Sequence, residues 1–241
     1  MAVMEKAPLT CHSRGRTEAT RKTTMPKRAL IERRPWLLGS MVLALAWIWL
    51  QGSETPGLYL LLLKAAPLLL LAVYTALRHR GNDTRSLAGM LVLQGIGSAL
   101  MDYMPLIALN ALLVAYLIGL GMFLVHRRVE MDGGRKASAL ALTLGTPLLC
   151  YFAAERAGVG VPLFLGLALG GMAAAAWIST FPRSRVGLGA SLIVAGNVLG
   201  IAAMGGSLPA VALAAWPLFY LGNLVLATGV TGELRMRDDI F

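Results

Sequence analysis

Residues 57–73 read GLYLLLLKAAPLLLLAV, an apolar run with a lysine, Lys64, and a proline, Pro67, inside it. The run is long enough to be most of a membrane-spanning helix, which takes about 20 mostly apolar residues. Lys64 lies seven residues after Gly57, roughly 10 Å along a helix axis. A lysine at the centre of a bilayer costs about 2.5–3.5 kcal/mol on insertion scales. Two readings are open. The side chain snorkels outward to the headgroups, or it faces a polar pocket among helices. Pro67 favours the pocket. It has no N–H for the carbonyl of Leu63, so an acceptor is freed beside Lys64, and the two residues share a helix face.

The whole chain has the same character. It has 241 residues, 57% of them hydrophobic and 14% charged, and a mean hydropathy of +0.68. Soluble domains average about 45–50% apolar and about 25% charged, so the composition describes a multi-pass membrane protein. Eight apolar spans emerge: 36–51, 57–77, 86–102, 104–126, 137–154, 160–179, 185–204 and 209–230. Pro35, Pro105, Pro162 and Pro209 stand near helix starts. Gly81-Asn82-Asp83, Gly133-Gly134 and Gly205-Gly206-Ser207 read as turns. The expected fold is all-α, with one transmembrane domain over 36–230, a basic and disordered tail over 1–35, and a short tail over 231–241.

Charge placement sets the orientation. With eight spans, twenty of the 22 lysines and arginines fall on one side, with both tails. Arg156 falls on the other side and Lys64 lies within a span. The positive-inside rule then puts both termini in the cytoplasm. Span 1 lacks a small-x-small cleavage site after it and reads as a retained span rather than a signal peptide. Met25 is a second candidate start. The net charge of +10 therefore belongs to loops and tails and does not form a nucleic-acid groove. The basic tail primarily orients the chain and adds attraction to anionic lipid heads.

Two cysteines, Cys11 and Cys150, make no disulfide framework. No metal, nucleotide or nucleophile-elbow motif occurs, so no metal and no cofactor is expected. The chemistry must come from polar residues within the spans. Gln94 and Ser98 lie in span 3, with Asp102 one turn after Ser98 at its end. Asn110 lies in span 4 and Asn197 in span 7, while Trp216, Tyr220 and Asn223 follow one another along span 8. Singly, such residues glue helices together. At a common level around Lys64 they suggest a cavity open to the outer leaflet. Glu54 and Glu155 lie at outer loop ends and read as solvated. The GxxxG spacings Gly166–Gly170 and Gly196–Gly200 read as close packing. A tandem four-helix repeat is also suggested. Gly97-Ser98 in the third span of one half matches Gly196-Asn197 in the third span of the other.

Five blocks carry a family resemblance: LLLKAAPLLL, LVLQGIGSAL, VPLFLGLALGGMAAAAW, GASLIVAGN and LFYLGNLVLATG. On these, over most of 36–230, the chain resembles the lysoplasmalogenase-like YhhN family of eight-span membrane proteins. The resemblance implies an integral protein of the cell membrane, here a bacterial inner membrane. Its partners would be membrane lipids and a lysophospholipid, with no specific protein partner. It also implies hydrolysis of the vinyl-ether bond of lysoplasmalogens. That reaction protonates carbon and lets water capture the oxocarbenium ion, so it calls for a carboxylic acid in a low-dielectric site. The family pattern has Gly-Asp in span 3 and Ser-Asp in span 7, where this chain has Gly97-Ser98 and Gly196-Asn197. Asn223 stands at the span 8 glutamine position, and the span 4 glycine, phenylalanine and histidine are lost around Asn110 and Ile118. Lys64, Pro67 and Tyr220 fit the pattern. Activity would then rest on Asp102 as a relocated acid and Lys64 as phosphate or electrostatic partner. Ser98, Asn197 and Tyr220 would position water or substrate, with Gln94, Asn110, Trp216 and Asn223 at the substrate and Pro67, Gly97 and Gly196 shaping the helices. Without a working acid, the same scaffold is a non-catalytic lipid binder or small-molecule transporter.

Overall fold

The computed structural model describes residues 34–51, 57–78, 81–128, 133–158, 160, 163–204 and 209–238. Most of the tail, with Cys11 and His12, and also Glu54, His79, Pro162 and Gly205-Gly206-Ser207, lie outside the described residues. The chain divides between Arg34 and Pro35, and apart from Arg34 the helices all lie in the second unit.

Among the described residues there are eight α-helices: α1 Arg34–Leu50, α2 Gly57–Arg78, α3 Asn82–Leu100, α4 Pro105–Val125, α5 Gly133–Ala157, α6 Leu163–Ile178, α7 Leu188–Ala203 and α8 Pro209–Asp238. A π-helical turn, Arg183–Gly187, leads into α7. No strand occurs among the described residues, only an isolated bridge between Arg127 and Ser179. The all-α expectation holds. Five segments are long and apolar enough to cross a membrane: Gly57–Arg78, Pro105–Val125, Gly133–Ala157, Arg183–Ala203 and Val211–Met236. Pro35–Leu50 and Leu163–Ile178 are apolar but shorter. At 16 residues α6 spans roughly 24 Å, less than a hydrocarbon core of about 30 Å. It is built of glycine, alanine and leucine, and most of it is buried among its neighbours.

The helices do not stop where the apolar runs stop. Gly133 and Gly134 form the first turn of α5 instead of a loop, and α8 continues through Glu233 to Asp238. Helical hydrogen bonding is satisfied within the segment, so polar ends outside the hydrocarbon layer stay helical. In the other direction, α3 ends at Leu100, and Asp102 lies in the turn before α4 rather than on the helix.

Large apolar side chains point outward as well as inward. Trp49, Leu106 and Phe164 are 87%, 75% and 72% exposed. A water-soluble protein rarely shows so much apolar surface, whereas a lipid-facing surface consists of it. Fully buried Leu68, Leu71, Leu91, Tyr116, Phe123 and Met172 belong to one continuous core. Five apolar helices of spanning length with lipid-like outer faces make this an integral membrane protein.

The sequence-adjacent pairs α7–α8 and α5–α6 run antiparallel. Gly189 of α7 faces Gly222 of α8, Gly196 faces Phe219, and Gly200 faces Ala215. A Cβ at Gly196 would lie 2.6 Å from the backbone nitrogen of Phe219, so only glycine lets these two backbones approach so closely. Gly166 and Gly170 of α6 meet Pro147, Leu142 and Thr146 of α5 in the same way. The basic helix ends gather together. Backbone bonds from Thr180 N to His126 O and from Arg128 N to Ile178 O tie the end of α4 to the segment after α6. Asp83 at the start of α3 lies 3.4 Å from His126 at the end of α4.

Candidate functional site

The end of the bundle away from these basic residues is open. A cavity of about 310 Å³ lies between α1, α2, α3, α4, α6, α7 and α8. Its wall is mostly apolar, including Leu109, Leu112, Leu165, Ile201 and Phe219, with the polar residues Lys64, Ser98, Asp102 and Asn197 set into it. Ligand pockets typically run about 300–1,000 Å³, so this one is small but sufficient.

Lys64 sits in the third turn of α2, where Leu68 and the carbonyl of Ala65 pack against Gly95 of α3. That close approach turns the lysine toward the turn after α3. Its Nζ donates to Asp102 Oδ2 at 2.7 Å and stands 5.7 Å from the ring centre of Trp47. The lysine side chain is 15% exposed and the aspartate 65%. So the lysine in the leucine run is held by an ion pair and an aromatic face at the cavity mouth. With one partner this exposed, the pair contributes at most about 1 kcal/mol to the fold.

Asn197 enters from α7, where Gly196 lets α8 come close. Its Nδ2 donates to Ile193 O at 2.7 Å, and its Oδ1 accepts the Tyr116 hydroxyl at 2.7 Å. Ser98 donates back to Gly95 O at 3.0 Å, a local bond within α3. Gly97 fits against Leu112 and the carbonyl of Ala108 on α4. Trp216 forms part of the cavity wall, tilted on Trp47 at 4.3 Å and stacked on Tyr220 at 5.6 Å. Tyr220 stands behind Trp216, and its hydroxyl meets Ser40 Oγ at 2.8 Å. Ser40 in turn donates to the Pro67 carbonyl at 2.7 Å. Pro67 thus lies inside α2 as expected of a tolerated membrane proline, with its own carbonyl serving α1.

The polar residues divide into three groups. Lys64, Ser98, Asp102, Asn197 and Trp216 come together at the cavity. Gln94 and Asn223 are fully buried but are not part of its wall. Both amide atoms of Gln94 and Oδ1 of Asn223 lack a hydrogen-bond partner among the described residues. Asn110 does not join the site. It is exposed, and its amide donates to Leu106 O on its own helix. Three participants escaped sequence reading: Ser40, Trp47 and Tyr116. A lone hydroxyl inside an apolar span was the available signal for Ser40 and Tyr116. Among the described residues no three His, Cys, Asp or Glu side chains cluster to hold a metal.

Fold and site together define an all-α integral membrane protein with a mostly apolar cavity, a cation–carboxylate pair at its mouth and an aromatic wall. Compared with known proteins, the chain matches no family model, no curated protein and no solved structure.

Proposed function

We propose that the protein is a divergent lysoplasmalogenase-like membrane protein whose cavity binds a lysophospholipid, vinyl-ether forms included. All eight helices would lie in a bacterial inner membrane with both termini cytoplasmic, so the cavity would open to the outer leaflet. The tandem repeat fits this frame. Gly97 meets the following helix α4 in one half, and Gly196 meets the following helix α8 in the other. The observation that carries the reading is a lysine ammonium at the mouth of an otherwise apolar cavity. The ammonium suits a phosphate and the apolar wall suits a single chain.

Binding is better supported than hydrolysis. Asp102 is the one carboxylate among the described cavity residues, and it accepts a hydrogen bond from Lys64 instead of offering a proton. Ser98 and Asn197 stand where the family's aspartates would be, and neither is a carboxylic acid. The test uses purified protein in lipid nanodiscs with palmitoyl lysophosphatidylcholine and its vinyl-ether counterpart. Saturable binding without aldehyde release is the expected result. Aldehyde release that disappears in Asp102→Asn would restore the hydrolase. Counterflow in proteoliposomes would add transport to binding.

A further inference from the structure

We propose that Lys64 and Asp102 form an exchangeable gate, in which Asp102 occupies the position on the lysine that the ligand's phosphate takes over. The inference rests on the lysophospholipid reading above and adds how the ligand enters and what it displaces.

Three observations point the same way. The first is asymmetry. Lys64 is 15% exposed and rooted in α2, while Asp102 is 65% exposed on the turn after α3. The aspartate can swing into water with little desolvation to reverse, but the lysine has nowhere to go without an anion. Leaving a mostly buried ammonium unpaired is the costly state, so the lysine holds one anion or another.

The second is position. A smaller cavity of about 140 Å³ lies beside the main one, bounded by Gln51 at the end of α1, Leu60 and Leu61 in α2, and Tyr103 next to Asp102. Both cavities share Trp47, Lys64 and Asp102 in their walls. The ion pair and the indole therefore form the partition. When the pair separates, the two spaces join into one slot running from the α1–α2 ends to Asn197.

The third is donor chemistry. The wall around the lysine offers an ammonium and an aromatic face, and its one carboxylate already answers that ammonium. A phosphate presents several charged oxygens and competes directly with a carboxylate for such a group. An uncharged glyceride has nothing with which to displace Asp102. The ligand class is thus a single-chain amphiphile bearing a phosphate, with the chain along the apolar wall and the phosphate on Lys64.

The test measures binding of three probes to the full chain in nanodiscs: palmitoyl lysophosphatidylcholine, monopalmitoylglycerol and inorganic phosphate. Asp102→Asn removes the competing charge and should tighten the lysolipid by about two- to fivefold, the range set by an exposed ion pair. Lys64→Gln should weaken it by about tenfold or more, and Lys64→Arg should retain it. In the double variant Lys64→Gln with Asp102→Asn the tightening should vanish, because the two residues act as one unit. Monopalmitoylglycerol should bind weakly and ignore Asp102→Asn. Inorganic phosphate should compete only weakly. If it binds as tightly as the lysolipid, the site takes free phosphate and the gate for a lipid is overturned. Lysolipid binding that is unchanged or weakened by Asp102→Asn overturns the gate and leaves the proposed function standing. A folded wild-type protein that binds no lysolipid overturns both.

Discussion

Along the α7–α8 seam backbone meets backbone, whereas at the edge where α1 meets α2 and α8 the hydrogen bonds and ring contact run through side chains of α1. In the seam, Gly189 and Gly222 each face the other's carbonyl oxygen at 2.8 Å from where a Cβ would stand. No side chain intervenes between those two glycines, while farther along the same two helices Gly196, Asn197, Trp216 and Phe219 form part of the cavity wall. At the edge, α1 is held by Ser40 on the Pro67 carbonyl and on Tyr220, and by Trp47 against Trp216. The cavity lies beside that second kind of contact, walled by both Trp47 and Trp216. Lipid supplies no hydrophobic drive between helices, so tight small-residue packing is what fixes geometry. Where the indoles of Trp47 and Trp216, rather than glycine backbones, separate the helices, the cavity has its aromatic wall.

Four substitutions break or sharpen this contrast. The largest effect belongs to Gly222→Leu. Its Cβ would meet Ile193 N at 2.7 Å, and backbone cannot step aside as a side chain can. Overpacking typically costs about 1–3 kcal/mol, and here the upper end or more is expected, seen as loss of monodisperse protein on size exclusion. Ser40→Ala should cost less, about 0.6–1.7 kcal/mol in thermal unfolding, because hydrogen bonds between membrane helices average modest values. A loss as great as that of Gly222→Leu would mean that the edge, not the seam, holds the bundle. Tyr116→Phe removes one bond to Asn197 and should cost about 0.6 kcal/mol. Its sharper signature is weaker lysolipid binding, since Asn197 loses the group that orients it at the cavity. Smallest is Lys64→Leu, with stability unchanged within about 1 kcal/mol, because the aspartate left behind is 65% exposed. Lysolipid binding should nonetheless be lost. If Lys64→Leu unfolds the protein, the ion pair is structural and the edge is no site.

The helices were legible because backbone satisfaction in lipid leaves few alternatives for long apolar runs. Lys64 stood out in its leucine run for the same reason. Helix ends were less legible, since Gly133-Gly134 and residues 231–238 are polar yet helical. Asp102 was placed on α3 by its spacing from Ser98. It reaches Lys64 instead from the turn beyond Leu100.

The amino-acid sequence determined the all-helical chain, its division into apolar segments, the gathering of arginines at the helix ends and the presence of one cation inside α2. Tertiary structure alone decided which side of each helix meets which neighbour. Asn110 turns outward to its own backbone while Tyr116, less than two turns later, turns inward to Asn197. Ser40 finds Tyr220 across 180 residues of chain. The physical reason is that lipid and protein interior are both apolar. A helix in that setting carries no strong amphipathic stripe to announce its buried face, so only close packing and a few polar contacts set its rotation.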